Sequence, residues 1–163
     1  MKLPIALLLA SASFAAVAGV PSSDQDFVTT AGQGGLAEVA LGHLAAQHGA
    51  SAPVKSFGKQ MIADHGKANA GLKAAAEKAG DTVPGAPSED QQATLTKMKG
   101  LQGAEFDKAY ADAMVKDHKD TIALFEKEAA KGDNGPVKTF AATTLPTLKH
   151  HLQMAEDLQK QTP

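Results

Sequence analysis

Four polar residues at otherwise apolar positions are the strongest candidates for chemistry in this chain. They are Glu38, His65, His118 and His151, and each lies on the apolar face of a different predicted long helix. A single buried histidine is commonly a hydrogen-bonded core residue, since histidine is of intermediate burial in proteins. Helical bundles, however, hold metal ions with histidine and carboxylate side chains that project inward from facing helices. The four residues together therefore predict a shared polar site.

The spacing of these residues predicts that they lie at one level of the fold. Glu38 lies 13 residues before, and His65 lies 14 residues after, a predicted turn centred near residue 51. His118 lies 16 residues before, and His151 lies 17 residues after, a second turn centred near residue 134. Because an α-helix rises about 1.5 Å per residue, the two members of each pair should be level to within about one residue.

A third count connects the two pairs across the middle of the chain. His65 lies 15 residues before Gly80, and His118 lies 15 residues after Gly103. If Gly80 and Gly103 lie at the same end of the fold, His65 and His118 are level as well. Together the three counts predict that all four side chains lie in one layer.

The donor set indicates which metals the predicted site suits. Three imidazoles and one carboxylate are typical ligands of zinc, copper(II) and iron. Four protein ligands would close a structural zinc site, whereas a water at an open position would permit catalysis. A ferritin diiron site needs Glu-x-x-His on two of its helices, and the chain contains no Glu-x-x-His. We therefore expect one transition-metal ion at most, which is zinc, copper or iron.

Two aspartates, Asp64 and Asp117, directly precede histidines of the set. Adjacent residues of a helix point about 100° apart, so neither aspartate easily shares the target of its own neighbour. Each could instead accept a hydrogen bond from a histidine on the next helix and fix its tautomer, as partners of metal ligands commonly do. The alternative is a solvated aspartate with no such role.

Composition excludes several other kinds of site. The chain has no Cys and no Arg, and its net charge is −2. The lack of Cys excludes disulfides, cysteine zinc sites and iron–sulfur clusters. Without the forked donor of Arg, nucleic acid is not an expected partner. No Ser/His/Asp arrangement can be argued, which favours a role other than catalysis. Three further histidines are expected to lie outside the layer: His43, His48 and His150.

The N-terminus has the pattern of a secretory signal peptide. Lys2 precedes an uncharged apolar run over residues 3–17, and Ala16 and Ala18 are small residues suited to signal-peptidase cleavage. The run is short for a membrane span of about 20 residues. We predict a signal peptide over residues 1–18, cleavage after Ala18 and a periplasmic location. No transmembrane segment is expected in the mature chain.

Four long segments carry apolar residues at spacings of three and four, which is typical of helices packed along a seam. Ser51 is a candidate N-cap, and Ser88 with Gln91 predicts a capping box that opens a short helix to about Lys99. Short connections favour antiparallel neighbours. We predict an all-α fold: an antiparallel up-down four-helix bundle with one extra short helix in the crossover between the second and third long helices. A flexible segment (residues 19–25) would precede a single helical domain (residues 26–161).

Five short motifs cover the chain from about residue 26 to residue 160. They are Gly34-Gly35-Leu-Ala-Glu38-Val39, Met61-x-x-Asp64-His65, Phe106-Asp107-x-x-Tyr110, Met114-Val-x-Asp117-His118 and Leu145-Pro146-x-Leu148-x-x-His151-Leu152. In these motifs the chain resembles the secreted bacterial family catalogued as domain of unknown function 4142, which is often labelled an outer membrane protein. The resemblance implies a ferritin-like helical fold and an envelope location. It implies little about activity.

The sequence leaves three functions open. The first is a periplasmic metal-binding bundle that acts in metal buffering or envelope stress, with association to the outer membrane as a further option. The second is a metal-free structural or interaction module whose buried His and Glu side chains fix the helix register. The third, and least favoured, is a ferritin-like oxidase, because few carboxylates face the core. The oligomeric state is not specified by any pattern in the sequence.

Overall fold

Five α-helices make up the fold. The structure is a computed structural model that describes residues 23–133 and 135–162, so the predicted signal peptide lies outside the described residues. Over these ranges there is no β-strand, and the all-α prediction is confirmed. No helix among the described residues is both long enough and apolar enough to cross a membrane. The helices are α1 (Ser23–His48), α2 (Ala52–Ala79), α3 (Glu89–Lys99), α4 (Gly103–Lys131) and α5 (Gly135–Gln161).

The helix ends follow the predicted capping signals. The Ser51 hydroxyl caps α2 by accepting a hydrogen bond from the Val54 amide at 3.4 Å. Ser88 and Gln91 form the predicted capping box at the start of α3, with both reciprocal bonds present. Gly80 ends α2 in the left-handed conformation (φ 80°), which glycine adopts without steric penalty. These local signals therefore set the boundaries of α2 and α3.

Helix α1 begins earlier than the predicted domain boundary at residue 26. Residues 23–25, expected to be flexible, form its first turn. Asp24 accepts a hydrogen bond from the Asp133 amide at 2.9 Å. The Gln25 side chain exchanges two 2.9 Å hydrogen bonds with the backbone of Thr82. These contacts with distant parts of the chain hold the first turn in place, which the local sequence does not reveal.

The long helices pack in two pairs, α1 with α2 and α4 with α5, and each pair also contacts the other through α2–α5 and α1–α4. Helix α3 packs against α1 and α4. Gly42 and Gly58 allow α1 and α2 to approach closely, because a Cβ atom on either would lie 2.7 Å from the carbonyl oxygen of the other. The result is a helical bundle.

Apolar side chains form two separate core clusters. The first core cluster lies near the α1–α2 turn, and the second core cluster lies at the opposite end of the long helices, near the start of α5. Both clusters contain residues of all four long helices. The first contains Leu41, Leu44, Ala45, Val54, Phe57, Met61, Met98, Phe106, Tyr110, Ala111, Met114, Val115, Ala155 and Leu158. The second contains Phe27, Val28, Ala31, Leu72, Ala75, Ala76, Ile122, Phe125, Val137, Ala141 and Leu148.

The order of the clusters along each helix gives its direction. Helices α2 and α4 both run from the first core cluster to the second, whereas α1 and α5 run the opposite way. The pairs α1–α2 and α4–α5 are therefore antiparallel as predicted, but α2 and α4 run in the same direction, so the predicted up-down order of the four long helices is wrong.

The segment between α2 and α4 returns the chain along the length of the bundle. Gly103 forms an isolated bridge with Gly49 beside the α1–α2 turn, whereas α2 ends at Gly80 beside the second core cluster. The expectation that Gly80 and Gly103 lie at the same end is therefore wrong. Helix α3, whose 11 residues span roughly 16 Å, covers much of the return. His65 and His118 are level because both helices start from the same end.

Candidate metal centre

A buried polar layer separates the two core clusters. It consists of Glu38 of α1, His65 of α2, His118 of α4 and His151 of α5, with exposed fractions of 7%, 6%, 1% and 1%. On every long helix, the layer residue lies between the residues of the first and second core clusters. The fold thus brings together the four residues singled out by the sequence.

The three imidazoles of the polar layer contact one another. Their ring centroids are 5.4 Å apart for His65 and His151, 5.5 Å for His118 and His151, and 5.6 Å for His65 and His118. One ring nitrogen can be chosen from each so that all three lie within 4.8 Å of one another. The Glu38 Oε1 atom lies 3.8 Å from His118 Nδ1. This is a compact set of three nitrogen donors with a carboxyl group beside it.

Hydrogen bonds fix the tautomers of two of these histidines. His118 Nδ1 lies 2.9 Å from the Met114 carbonyl oxygen, which can only accept, so Nδ1 carries the proton. His151 Nε2 donates to Asp64 Oδ2 at 2.8 Å. The other nitrogens, His118 Nε2 and His151 Nδ1, are therefore left with free lone pairs. Both are buried without a hydrogen-bond partner, and so is His65 Nε2.

Burial keeps the imidazoles of the polar layer neutral at physiological pH. It lowers the pKa of His65 to about 3, with further contributions from the positive charge that His118 and His151 would carry. Burial also lowers the pKa of His118 to about 4. The pKa of His151 is lowered by burial as well, although Asp64 opposes that change. Neutral imidazole is the form that ligates metals.

The carboxyl group of Glu38 is shifted in the opposite direction. Burial raises its pKa to about 8, and the negative charge of Asp117 adds to the increase. In the absence of a nearby cation, Glu38 is therefore mainly protonated at neutral pH, and its Oε2 atom has no partner. A bound cation would reverse this preference, because an adjacent positive charge favours the ionised carboxylate.

The two aspartates have different surroundings. Asp64 lies on α2 and binds His151 on the neighbouring α5, and Gln60 also donates to it at 2.6 Å. Although partial burial opposes the change, hydrogen bonds from Gln60 and His151 lower the pKa of Asp64. Asp117 is half-buried and, among the described residues, makes no hydrogen bond to a histidine. Its main effect on the layer is electrostatic, through Glu38.

The other three helical histidines lie outside the polar layer, as expected. His43 and His150 are exposed. His48 is half-buried, with its Nδ1 atom 3.3 Å from the Leu101 carbonyl oxygen. None of the three belongs to the group of histidines that could share an ion.

Sequence reasoning missed the roles of two buried polar residues of α4. Asp107 accepts hydrogen bonds from the Ala50 and Ser51 amides, both at 2.8 Å, and so ties α4 to the α1–α2 turn. Tyr110 has a buried hydroxyl without a partner, and burial followed by the charge of Glu38 raises its pKa well above the usual value. The sequence signal for a buried Tyr110 near the layer was its position two turns before His118 on the same apolar face of α4. No sequence signal identified the partners of Asp107.

The donor set fits a transition-metal ion. Three neutral imidazoles with unpartnered buried nitrogens form the group that could share an ion, whereas Glu38 lies beside His118 with one unpartnered oxygen but outside that group. Histidine nitrogen and carboxylate oxygen are suitable ligands for zinc, copper(II) and iron. Asp64 and the Met114 carbonyl orient two of the rings through the nitrogen that does not ligate, as in known metal sites.

Comparisons with known proteins bear on the family of the chain. Residues 9–158 match the family described as Domain of unknown function (DUF4142), which covers nearly the whole chain and the complete polar layer. No curated protein and no solved structure matches the chain. The resemblance carried by the sequence motifs is therefore confirmed, and the family description assigns no activity to the polar layer.

Proposed function

The chain belongs to the family of domain of unknown function DUF4142, and we propose that it is a ferritin-like four-helix bundle that binds one transition-metal ion in its core. Ferritin-like bundles join two helix pairs by one long crossover. The return segment between α2 and α4, which includes α3, supports this arrangement. The proposed ligands are His65, His118, His151 and Glu38, and the proposed ion is zinc, copper or iron.

One observation carries the proposal: three buried imidazole nitrogens and one buried carboxyl oxygen in the same layer lack hydrogen-bond partners. Each buried polar group left unpaired costs about 1–3 kcal/mol. A cation bound by the three imidazole nitrogens would satisfy these three atoms at once. The three histidines would ligate as neutral imidazoles, and Glu38 would ligate after losing its proton.

We also propose that the protein is exported to the periplasm, where it buffers a transition metal or acts in envelope stress. The signal-peptide pattern of residues 1–18 supports export. The single carboxylate of the candidate ligand set argues against a diiron oxidase, which would use several, and is compatible with metal storage or buffering.

The test is metal analysis of the purified protein and of four variants. We expect one equivalent of zinc, copper or iron per chain by elemental analysis, and a loss of binding in His65→Ala, His118→Ala, His151→Ala and Glu38→Ala. His43→Ala, which removes an exposed histidine of α1, is the matched control and should bind like the unmodified protein. Equal metal content in the His118→Ala and His43→Ala variants would overturn the proposal.

A second candidate function is a metal-free interaction module whose polar layer fixes helix register. The hydrogen bond between Asp64 of α2 and His151 of α5 favours it, because this contact joins two helices at one level. In that case the melting temperature should not respond to zinc, copper, iron or a chelator, and His65, His118 and Glu38 would be needed for structure alone.

A further inference from the structure

A cleft of about 490 Å³ connects the polar layer with solvent. Its lining includes residues from all five helices. Glu38 and His65 form part of its buried lining, whereas Asp90, Lys116 and Asp120 are exposed where the cleft opens. The two other ligand candidates, His118 and His151, do not line it. The cleft therefore reaches the layer from the side on which Glu38 and His65 lie.

The opening of the cleft carries an excess of negative charge. Asp90, Asp117 and Asp120 line it, and the basic residue among the lining residues is Lys116. Lys116 pairs with Asp120 at 2.8 Å and also interacts electrostatically with Asp117, so a single lysine offsets three aspartates. A cleft lined mainly by one sign of charge concentrates ions of the opposite sign and increases their association rate.

Glu38 provides an independent reason to assign the cleft to a cation. Its side chain lines the cleft, is 7% exposed and has an oxygen without a hydrogen-bond partner. A carboxyl group in this position offers an arriving cation its first ligand within the protein. Anions would meet the aspartates at the opening, whereas a cation that passes them reaches a Glu38 oxygen that it can bind, so both features favour a cation.

Gly34 keeps the cleft open on the α1 side. A Cβ atom at Gly34 would have a single neighbour within 4 Å, Gln91 Nε2 at 3.9 Å, so the helix packing does not require a glycine at this position. Glycine in a helix interior is about 1 kcal/mol less favourable than alanine. A larger side chain at Gly34 would therefore extend into the cleft.

We propose that this cleft is the route by which the metal cation reaches the polar layer, with acidic residues at its opening and Gly34 along its wall. The inference rests on the proposed metal-binding function. It adds a kinetic role for residues that touch neither the ion nor its ligands. A route affects association and dissociation equally, so its obstruction changes both rates and leaves the equilibrium constant unchanged.

Stopped-flow mixing of the purified protein with Co²⁺ tests the route. Tyr110 is the only tyrosine of a chain without tryptophan, so its fluorescence reports binding without a label. We expect Gly34→Leu to slow both association and dissociation by about tenfold, as obstruction of a binding path does, with Kd unchanged within about twofold. Gly66→Leu is the matched control, because Gly66 is an exposed helical glycine with no neighbour near its Cβ position.

Charge variants provide a second arm that does not depend on a bulky side chain. We expect the double substitution Asp90→Asn and Asp120→Asn to lower the association rate by about threefold to tenfold at low ionic strength. The difference should disappear near 1 M salt, where the Debye length is about 3 Å. Asp112→Asn, which removes one negative charge from α4 outside the cleft, should leave the rate unchanged.

The outcomes separate the route from the proposed function. If Gly34→Leu and the double variant bind Co²⁺ as fast as their controls, the cleft is not the route. Metal binding itself would not be affected by that result. A change of Kd without a change of association rate would also overturn the route. No binding of Co²⁺, zinc, copper or iron by the unmodified protein would overturn the metal-binding function, and the route with it.

Discussion

The carboxylate of Asp64 on α2 accepts a hydrogen bond from His151 Nε2 on α5 at 2.8 Å. This contact leaves His151 Nδ1 as the unprotonated nitrogen, and that atom is buried without a partner. A carboxylate bonded to the far nitrogen of an imidazole holds the ring orientation and raises its basicity as a ligand. Asp64 thus acts on the proposed metal site without touching the ion.

We predict that Asp64→Ala weakens metal binding by about 10-fold to 100-fold, the usual effect of removing such a partner. The fold should change little, since the Asp64 side chain is 31% exposed. Calorimetric titration with zinc measures the affinity. Asp157→Ala, which removes an exposed aspartate paired with Lys160, is the control. Equal affinities in the two variants would show that the Asp64 contact has no role in binding.

The position of the polar layer could be predicted because the rise of a helix is fixed and two of the turns are short. The counts from the α1–α2 and α4–α5 turns needed no further information. The third count placed His65 and His118 at the same level correctly, although its premise that Gly80 and Gly103 lie at the same end of the fold is wrong. Helix α3 could have run in either direction, and it packs back along α1 and α4 through contacts that only the tertiary structure specifies.

The different surroundings of Asp64 and Asp117 could not be predicted from their similar motifs. Helices α2 and α4 run in the same direction, and both contact α1 and α5. Asp64 meets His151 on α5, whereas the negative charge of Asp117 acts on Glu38 on α1. Asp64 on α2 and Asp117 on α4 thus occupy equivalent positions in the bundle, each directly before a histidine of the polar layer. What differs is that α1 has a glutamate in the layer where α5 has a histidine.

We predict that His65→Leu stabilises the metal-free protein by about 1–2 kcal/mol, because it removes a buried nitrogen that has no hydrogen-bond partner. Urea unfolding in the presence of a chelator measures the change. Leu72→Ala, two turns later on the same helix, is a matched control for loss of core packing and should destabilise by about 2–5 kcal/mol. A loss of stability in His65→Leu would mean that this imidazole is satisfied in the metal-free state.

The metal-free protein should lose stability as the pH rises above about 6.5. The fold raises the pKa of Glu38 from 4.5 to about 8, so between these values the folded state holds a proton that the unfolded state has released. One such proton changes the free energy of unfolding by about 1.4 kcal/mol per pH unit, or about 2 kcal/mol between pH 6.5 and 8. Glu38→Gln should remove most of this decrease; the rest comes from Glu128, whose pKa is raised to about 7, mainly by burial. An unchanged pH dependence in the variant would contradict the shifted pKa.

On the acid side, the lowered pKa values of the polar-layer histidines decrease stability as the pH falls below 6.5, whereas the raised pKa of Glu38 acts in the opposite direction down to about pH 4.5. The fold lowers the pKa of His65 from 6.5 to about 3 and that of His118 from 6.5 to about 4. The unfolded state therefore binds more protons at these residues as the pH falls below 6.5, and the folded state loses stability. His118→Leu should make the loss shallower by about 1.4 kcal/mol per pH unit between pH 6 and 4. Urea unfolding of chelator-treated protein across this range measures the slope. His150→Leu, at an exposed position, should leave it unchanged.

Metal binding at pH 7 should release about one proton, and that proton should come from Glu38. The histidine pKa values lie below neutrality, so the imidazoles have no proton to lose. Glu38, with a pKa of about 8, is mainly protonated until a cation arrives, and a ligating carboxylate must be ionised.

Zinc titrations in buffers of different ionisation enthalpy measure the number of protons released. We expect about one for the unmodified protein and about zero for Glu38→Gln, which retains the three imidazoles and binds more weakly. Asp117→Asn provides an intermediate case, since loss of its negative charge lowers the pKa of Glu38 and reduces the proton count at pH 7. Release of no proton by the unmodified protein would contradict the prediction that a protonated Glu38 becomes a ligand.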